Sequence, residues 1–227
     1  EIQERPRLER SLPDPIGGRL PLEELHRDDL TPQLSALAHH FCAALPGGDA
    51  ARAIEYARRA AERADALFAY EEAARHYKLA LQALEAVPGS DAKQRCRLLI
   101  ALGEAQTKAG ENLQAAEVLQ QAAISAKALG LAVDLARAAR GFEEATWRPG
   151  LPGGAAVRLL RDALAGIGEE DSVLRAELLG SLTRALIFSG ALDEAMRVND
   201  QAVGMARRIG DAGALAAALR AGVSARW

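Results

Sequence analysis

Aromatic residues are scarce in this 227-residue sequence: two tryptophans, three tyrosines and four phenylalanines make up 4% of it. Residues that favour strands are correspondingly few, which nearly excludes a β-sheet protein. No stretch approaches the roughly 18 consecutive apolar residues of a membrane-spanning helix, and the N-terminus lacks the apolar core of a signal peptide. The charges nearly balance, at 28 basic and 31 acidic residues, so no overall basic excess points to nucleic acid.

Cysteine and histidine offer little chemistry. Cys42 and Cys96 stand apart, outside any CxxC or histidine-rich segment, so we expect a reduced, cytoplasmic compartment and neither a disulfide framework nor a metal site. His39 and His40 are adjacent, and neighbouring residues of a helix point about 100° apart. They cannot easily share one ion, so we expect a structural role for them. The sequence predicts no metal and no cofactor.

Alanine and leucine dominate what remains, with 50 and 33 residues respectively. Both are strong helix formers, so an all-α protein is expected. Residues 1–31, rich in proline, glycine and charge, are interpreted as a linker or loosely packed lead-in. Residues 32–227 are interpreted as one helical domain. Proline, glycine and capping residues bound ten predicted helices in it, at 33–45, 49–66, 70–86, 91–110, 112–130, 131–147, 155–167, 171–189, 192–209 and 211–226.

The helices form a repeat. When residues 98–139 are aligned with residues 178–219, fifteen of the 42 positions are identical without a gap. An offset of 40 also gives matches, more faintly, so the repeating unit is a pair of helices about 40 residues long. We therefore expect a solenoid, cut at its C-terminus from a longer protein because the helical pattern runs on to Trp227. The proline- and glycine-rich break at 148–154 predicts a bend or a protruding loop.

The spacing within one unit resembles the tetratricopeptide repeat. Gly103 follows a leucine on the first helix and Gly110 marks the turn, whereas small and large residues alternate on the second helix at Ala115, Leu119 and Ala122. Two antiparallel helices approach closely only where one of them presents glycine or alanine. The resemblance implies a right-handed, TPR-like α-solenoid of antiparallel helices, with units longer than the usual repeat of about 34 residues.

A narrower resemblance covers residues 30–86. The stretches 37–41, 53–64 and 69–77, which read LAHHF, AIEYARRAAERA and AYEEAARHY, are similar to the region after the ATPase module in large ATP-binding LuxR-type bacterial regulators with a MalT-like plan. The resemblance implies a regulatory arm that binds an effector, a protein partner or its own ATPase domain. A free-standing scaffold for peptides, or the arm of a kinase- or cyclase-linked ATPase, are the alternatives.

The repeat register also predicts a binding groove. By analogy with the family, first helices line it, and small residues at Ala101, Gly141, Ser181 and Ala221 form its middle. Charged and aromatic residues flank that trough, where arginines could hold acidic or carbonyl groups of a ligand. The competing interpretation is a solvated, internally paired face. The candidate groove residues are Arg97, Glu104, Lys108, Arg137, Arg140, Glu144, Trp147, Arg148, Glu177, Arg184 and Phe188.

Catalysis is not expected. Glu71, Glu72 and the acidic run at 169–171 stand at predicted helix starts, where carboxylates complement the helix dipole. The glycines near 150–154 have neither a preceding strand nor a following lysine of a phosphate-binding loop. No nucleophile, base and orienting group share a pattern, and we expect a non-catalytic segment that binds neither DNA nor membrane.

Overall fold

The computed structural model describes residues 30–223, and within that range all regular structure is helical. The expectation of a linker over 1–31 lies almost entirely outside the described residues. After a short 3-10 turn at Thr31–Gln33, ten α-helices follow. They are α1 (Leu34–Ala43), α2 (Ala50–Ala66), α3 (Tyr70–Glu85), α4 (Ala92–Lys108), α5 (Asn112–Ala128), α6 (Ala132–Trp147), α7 (Gly154–Gly166), α8 (Val173–Phe188), α9 (Leu192–Ile209) and α10 (Ala212–Val223).

The helix ends follow the local chemistry of the sequence. Asp49, Asp91 and Ser172 each cap a helix N-terminus, with side-chain oxygens that accept backbone N–H bonds of 3.1, 2.9 and 3.2 Å. At Gly110 the backbone turns into the left-handed region with φ of 84°. The Glu111 N–H then donates to the Gln106 carbonyl at 2.9 Å, which closes α4 in the manner of a Schellman motif.

Each helix packs against the next one along the chain. The first helices α4, α6, α8 and α10 contact one another in succession, with the second helices α5, α7 and α9 behind them. This is the architecture of an all-α, TPR-like solenoid, as the repeat predicted. None of the described helices is long and apolar enough to cross a membrane.

The core is built from small residues opposite large ones. Leu119 of α5 is fully buried and faces Gly103 of α4, where an added Cβ would lie 2.4 Å from the leucine side chain. Gly141 of α6 faces the same leucine at 3.0 Å. Ala115 and Ala122, the small residues predicted on α5, are both inaccessible to solvent. The leucine–glycine signature in the sequence therefore corresponds to close contact between helices.

The break between α6 and α7 spans residues 148–153. Its middle is exposed, whereas Gly153 is packed against α8, where an added Cβ would lie 2.0 Å from the Ala185 carbonyl oxygen. The Gly153 N–H also points to the Phe188 carbonyl at 3.4 Å. The segment is thus packed against α8 at its C-terminal end, and the bend or protruding loop expected there stays a prediction.

Candidate functional site

Two adjoining cavities open along the first helices. One, of about 310 Å³, lies across α4, α6 and α8, and Gly141 and Ser181 of the predicted small-residue trough line it. The other, of about 450 Å³, lies between α2 and α4, and Ala101 lines it. The fourth trough residue, Ala221, is buried. We call the first the central cavity and the second the α2–α4 cavity.

Seven of the eleven candidate groove residues line these cavities. They are Arg97, Glu104, Lys108, Arg137, Arg140, Glu144 and Arg184. Glu104 and Arg137 border both cavities, so the two form one continuous surface. The remaining four, Trp147, Arg148, Glu177 and Phe188, are not lining residues of either cavity.

Ion pairs link consecutive first helices across this surface. Between α4 and α6, Arg97 lies 3.3 Å from Asp134, and Arg137 lies 2.9 Å from Glu104. Lys108 of α4 reaches Asp65 of α2 at 2.8 Å. Each of these cations already has a carboxylate partner from a neighbouring unit. The surface is therefore internally paired to a large extent, and a ligand would have to share or displace those partners.

The junction between α6 and α8 contains the most buried of these pairs. The Arg140 Nη1 atom lies 2.5 Å from Glu177, and the Arg184 Nε atom lies 2.6 Å from Glu143. Glu143 is only 1% exposed, and burial raises the pKa of its carboxyl against the opposing effect of Arg184. Removing one member of such a pair leaves a buried charge uncompensated, which is strongly destabilising.

Aromatic side chains stand at the α8 edge of the central cavity. The Trp147 ring lies 6.3 Å from that of Phe188, and the Arg184 guanidinium lies 5.1 Å from the indole centroid. Arg148, which is paired with Glu144 at 2.6 Å, approaches the same indole at 5.8 Å. The two candidate aromatics therefore meet each other and contact the cavity through Arg184.

The repeat register did not identify the contribution of α2 and α3 to this surface. Arg58, Glu62 and Tyr77 line the α2–α4 cavity, yet none was a candidate. The positions 40 residues before Arg97 and Glu104 are Ala57 and Ala64, which are both buried, so the repeat spacing does not point to Arg58 or Glu62. The units are not evenly spaced here, because α2 begins at 50 and α4 at 92.

A separate polar cluster joins α1 to α3. The Ser35 hydroxyl lies 3.1 Å from Nε2 of His76, and a Glu72 carboxylate oxygen lies 3.6 Å from the same nitrogen. In a catalytic triad the acid instead binds the opposite ring nitrogen, and Nδ1 of His76 has no partner within the described range. Burial lowers the pKa of the His76 imidazole against the opposing effect of Glu72, which disfavours the charged form of the ring. The cluster ties two helices together and lacks the orienting group of a nucleophile.

The two adjacent histidines, His39 and His40, pack against other rings. The His39 ring meets that of His76 at 5.6 Å, and the His40 ring meets that of Phe41 at 5.7 Å. Over residues 30–223, no group of three or more potential ligands is arranged to hold a metal ion.

Comparison with solved structures agrees with the solenoid architecture. BtubC (BKLC) from P. vanneervenii is 15% identical, with a TM-score of 0.63, over 92% of this chain and 87% of that one. TPR-like repeats of a Podosopora anserina putative kinesin light chain are 15% identical, with a TM-score of 0.58, over 83% and 94%. The Rap conjugation gene regulator of plasmid pLS20, solved with a Phr peptide, is 15% identical, with a TM-score of 0.52, over 83% and 52%.

At such identities the likeness is one of fold. No protein-family model matches the sequence, and no curated protein matches it.

Proposed function

We propose that this protein is a non-catalytic helical-repeat scaffold that binds a peptide or a protein segment along its first helices. The observation that carries the proposal is the central cavity, where four basic side chains converge on a floor of small residues. The basic residues are Lys108, Arg137, Arg140 and Arg184, whereas Glu104 and Glu144 are the acidic ones. Charged hydrogen bonds from arginine suit carboxylates, so the bound segment carries acidic groups.

The comparisons support this proposal by analogy. The pLS20 Rap regulator, which was solved with a Phr peptide, shares the helical-repeat fold. The chain spans about half of that regulator's length, so analogy is drawn only with a repeat array and not with the whole regulator.

The resemblance over residues 30–86 supports a particular setting for the scaffold. In that setting the protein is the sensor arm of a cytoplasmic, ATP-dependent LuxR-type regulator. A ligand would act by binding one arrangement of the regulator more tightly than another. The alternatives are a free-standing peptide scaffold or the arm of a kinase- or cyclase-linked ATPase. Association of this chain with a separately purified ATPase module would favour an arm over a free-standing scaffold.

The test uses two matched arginines on different faces of the solenoid. Arg140 lines the central cavity and pairs with Glu177 of the next unit. Arg161 of α7 pairs in the same manner with Glu194 of α9 at 2.7 Å, but between second helices. Peptides that bind the full chain are first selected from a random displayed library, and their affinities are then measured for both variants.

We expect Arg140→Gln to weaken the selected peptides about tenfold, the cost of one charged hydrogen bond, and Arg161→Gln to leave their affinity unchanged. Circular dichroism would verify that both variants keep their helicity. Equal losses in both variants, or a loss only in Arg161→Gln, would contradict the proposal. Arg184 is a poorer choice for substitution, because its partner Glu143 is buried.

A further inference from the structure

The stack of first helices is open at its N-terminal end. Further along the solenoid, α6 packs between α4 and α8. Within residues 30–223, by contrast, α2 has no first helix before it, although α1 stands in the chain order of a second helix. Helical-repeat arrays usually end in a capping segment with a polar outer face. The side of α2 that points away from α4 is where such a segment would lie, and we call it the outer face of α2.

The outer face of α2 is basic. Its residues follow one another at spacings of 4, 3 and 4, which places them on one side of the helix; they are Arg52, Tyr56, Arg59 and Arg63. This side is neither the one that is buried nor the one that lines the α2–α4 cavity. It adjoins α1, because Tyr56 stacks on the ring of Phe41 at 5.3 Å and the Arg52 guanidinium lies 5.8 Å from the same ring.

Two of these arginines lack an anionic partner. Arg59 and Arg63 form no ion pair with any residue of the described part of the chain. Arg58, on the side of α2 toward α4, is bound by Glu55 and Glu62 of its own helix. The four basic residues of the central cavity each have a carboxylate partner as well. The outer face of α2 thus presents two cations, one helical turn apart, that the described residues do not neutralise.

The chain that precedes α1 carries the complementary charge. Residues 20–29 read LPLEELHRDD and contain four acidic residues against one arginine, whereas residues 1–19 contain four of each sign. Glu24 and Asp28 are spaced by four residues, as the two arginines of α2 are. The three leucines of the same segment give it an apolar part. Its composition therefore suits a surface that is basic and lies beside aromatic rings.

The point at which the chain enters α1 brings this segment close to α2. Leu30 is half-buried and packs against the core, and the Ser35 hydroxyl of α1 donates to Glu72 in the first turn of α3 at 3.4 Å. Since α3 begins where α2 ends, the chain reaches α1 beside the C-terminal end of α2. Ten residues span about 15 Å as a helix and more when extended, and Arg59 and Arg63 both lie within about 11 Å of that end.

We propose that residues 20–29 bind to the outer face of α2 and close the N-terminal end of the solenoid. Glu24 and Asp28 lie opposite Arg59 and Arg63, in a segment that runs parallel to α2, and its leucines contact the aromatic rings next to α1. The inference goes beyond the proposed function and does not depend on it, because neither arginine lines the central cavity or the α2–α4 cavity.

The test is hydrogen exchange of the full chain, measured by mass spectrometry, with a synthetic peptide of residues 20–29 as the unprotected reference. We expect the amides of this segment to exchange at least about tenfold more slowly in the full chain than in the peptide. Arg59→Glu combined with Arg63→Glu turns two attractions into repulsions, so it should bring the exchange rates to within about threefold of those of the peptide.

An exchange of charges locates the contact. Glu24→Arg with Asp28→Arg, added to the double variant of α2, should restore the slow exchange, since the pairs are then reversed in sign. The matched control is Arg158→Glu with Arg197→Glu, which changes the net charge equally at two exposed arginines of second helices. It should leave the exchange of the segment unchanged. Circular dichroism again verifies the fold of each variant.

Three outcomes would overturn the inference. The first is exchange of residues 20–29 as fast in the full chain as in the peptide. The second is protection that survives the substitution of Arg59 and Arg63, since the segment would then bind elsewhere. The third is protection that rises with protein concentration together with a dimer in sedimentation, since the segment would then cover a second copy. Peptides selected on the full chain should bind the double variant with unchanged affinity, so the proposed function is tested separately.

Discussion

The central and C-terminal junctions of the solenoid place one side chain of a second helix between two first helices, but they use opposite chemistry. In the central junction Leu119 of α5 lies between Gly103 and Gly141, with 2.4 and 3.0 Å from its side chain to the added Cβ positions. In the C-terminal junction, 80 residues later, Asn199 of α9 occupies the equivalent place. An added Cβ on Gly222 of α10 would lie 2.3 Å from its amide.

The amide at the C-terminal junction is poorly satisfied. Asn199 is 5% exposed, and its Oδ1 atom is buried without a hydrogen-bond partner in the described part of the chain. Thr183 stands 80 residues after Gly103, in the place of that glycine. Its hydroxyl donates a hydrogen bond to the Leu179 carbonyl of its own helix at 2.9 Å. Both junctions place a side chain of leucine shape against a glycine, and a buried amide without a hydrogen-bond partner is expected to lower stability.

The largest loss of stability is expected when Leu119 of the central junction is replaced by asparagine, the residue that occupies its place in the C-terminal junction. Leu119→Asn keeps the branched shape but loses the transfer free energy of a buried leucine and leaves an amide without partners. Together these should lower the free energy of unfolding by about 3–5 kcal/mol. Urea unfolding of the full chain, followed by circular dichroism, measures the change.

A matched control for Leu119→Asn is available on the same helix. Leu113 is 62% exposed, so Leu113→Asn should change the free energy of unfolding by no more than about 0.5 kcal/mol. Similar losses at both positions would mean that the contact with Gly103 and Gly141 is not what makes Leu119 important.

A smaller effect of opposite sign is expected from the reverse exchange. Asn199→Leu has nearly the same shape as the native residue and removes the unsatisfied Oδ1 atom, so it should raise the free energy of unfolding by about 1 kcal/mol. Asn199→Ala, which removes the amide but leaves a space beside Gly222, should give no such gain. Destabilisation by Asn199→Leu in the same urea experiment would indicate that the amide is needed at this junction.

Much of the fold could be predicted because its determinants are local. Pro46, Pro88 and the turn glycines end helices by restricting or permitting particular backbone angles, so ten helices could be counted from the sequence. The contact between Gly103 and Leu119 could be inferred because the repeat carries the same size pattern at fixed spacing. Helix ends shifted by a few residues, since terminal turns depend on capping geometry.

The site could be predicted only in part, because ion pairing depends on how neighbouring units are rotated. The register identified Arg137 and Arg140 as groove residues, but it did not indicate that Asp134 and Glu143, on other parts of α6, would pair with cations of adjacent helices. Tyr77 was missed because it belongs to a second helix. It lines the surface only where α2 and α4 are separated, which no residue pattern signals.

The central claim is that ligands bind along the first helices, and a map of backbone amide shifts tests it most directly. The full chain is labelled, and one selected peptide is added to saturation. We expect the largest shifts on α2, α4, α6 and α8, with those of Gly141 and Ser181 among them. Shifts concentrated on the second helices, around Lys127 and Arg161, would contradict it.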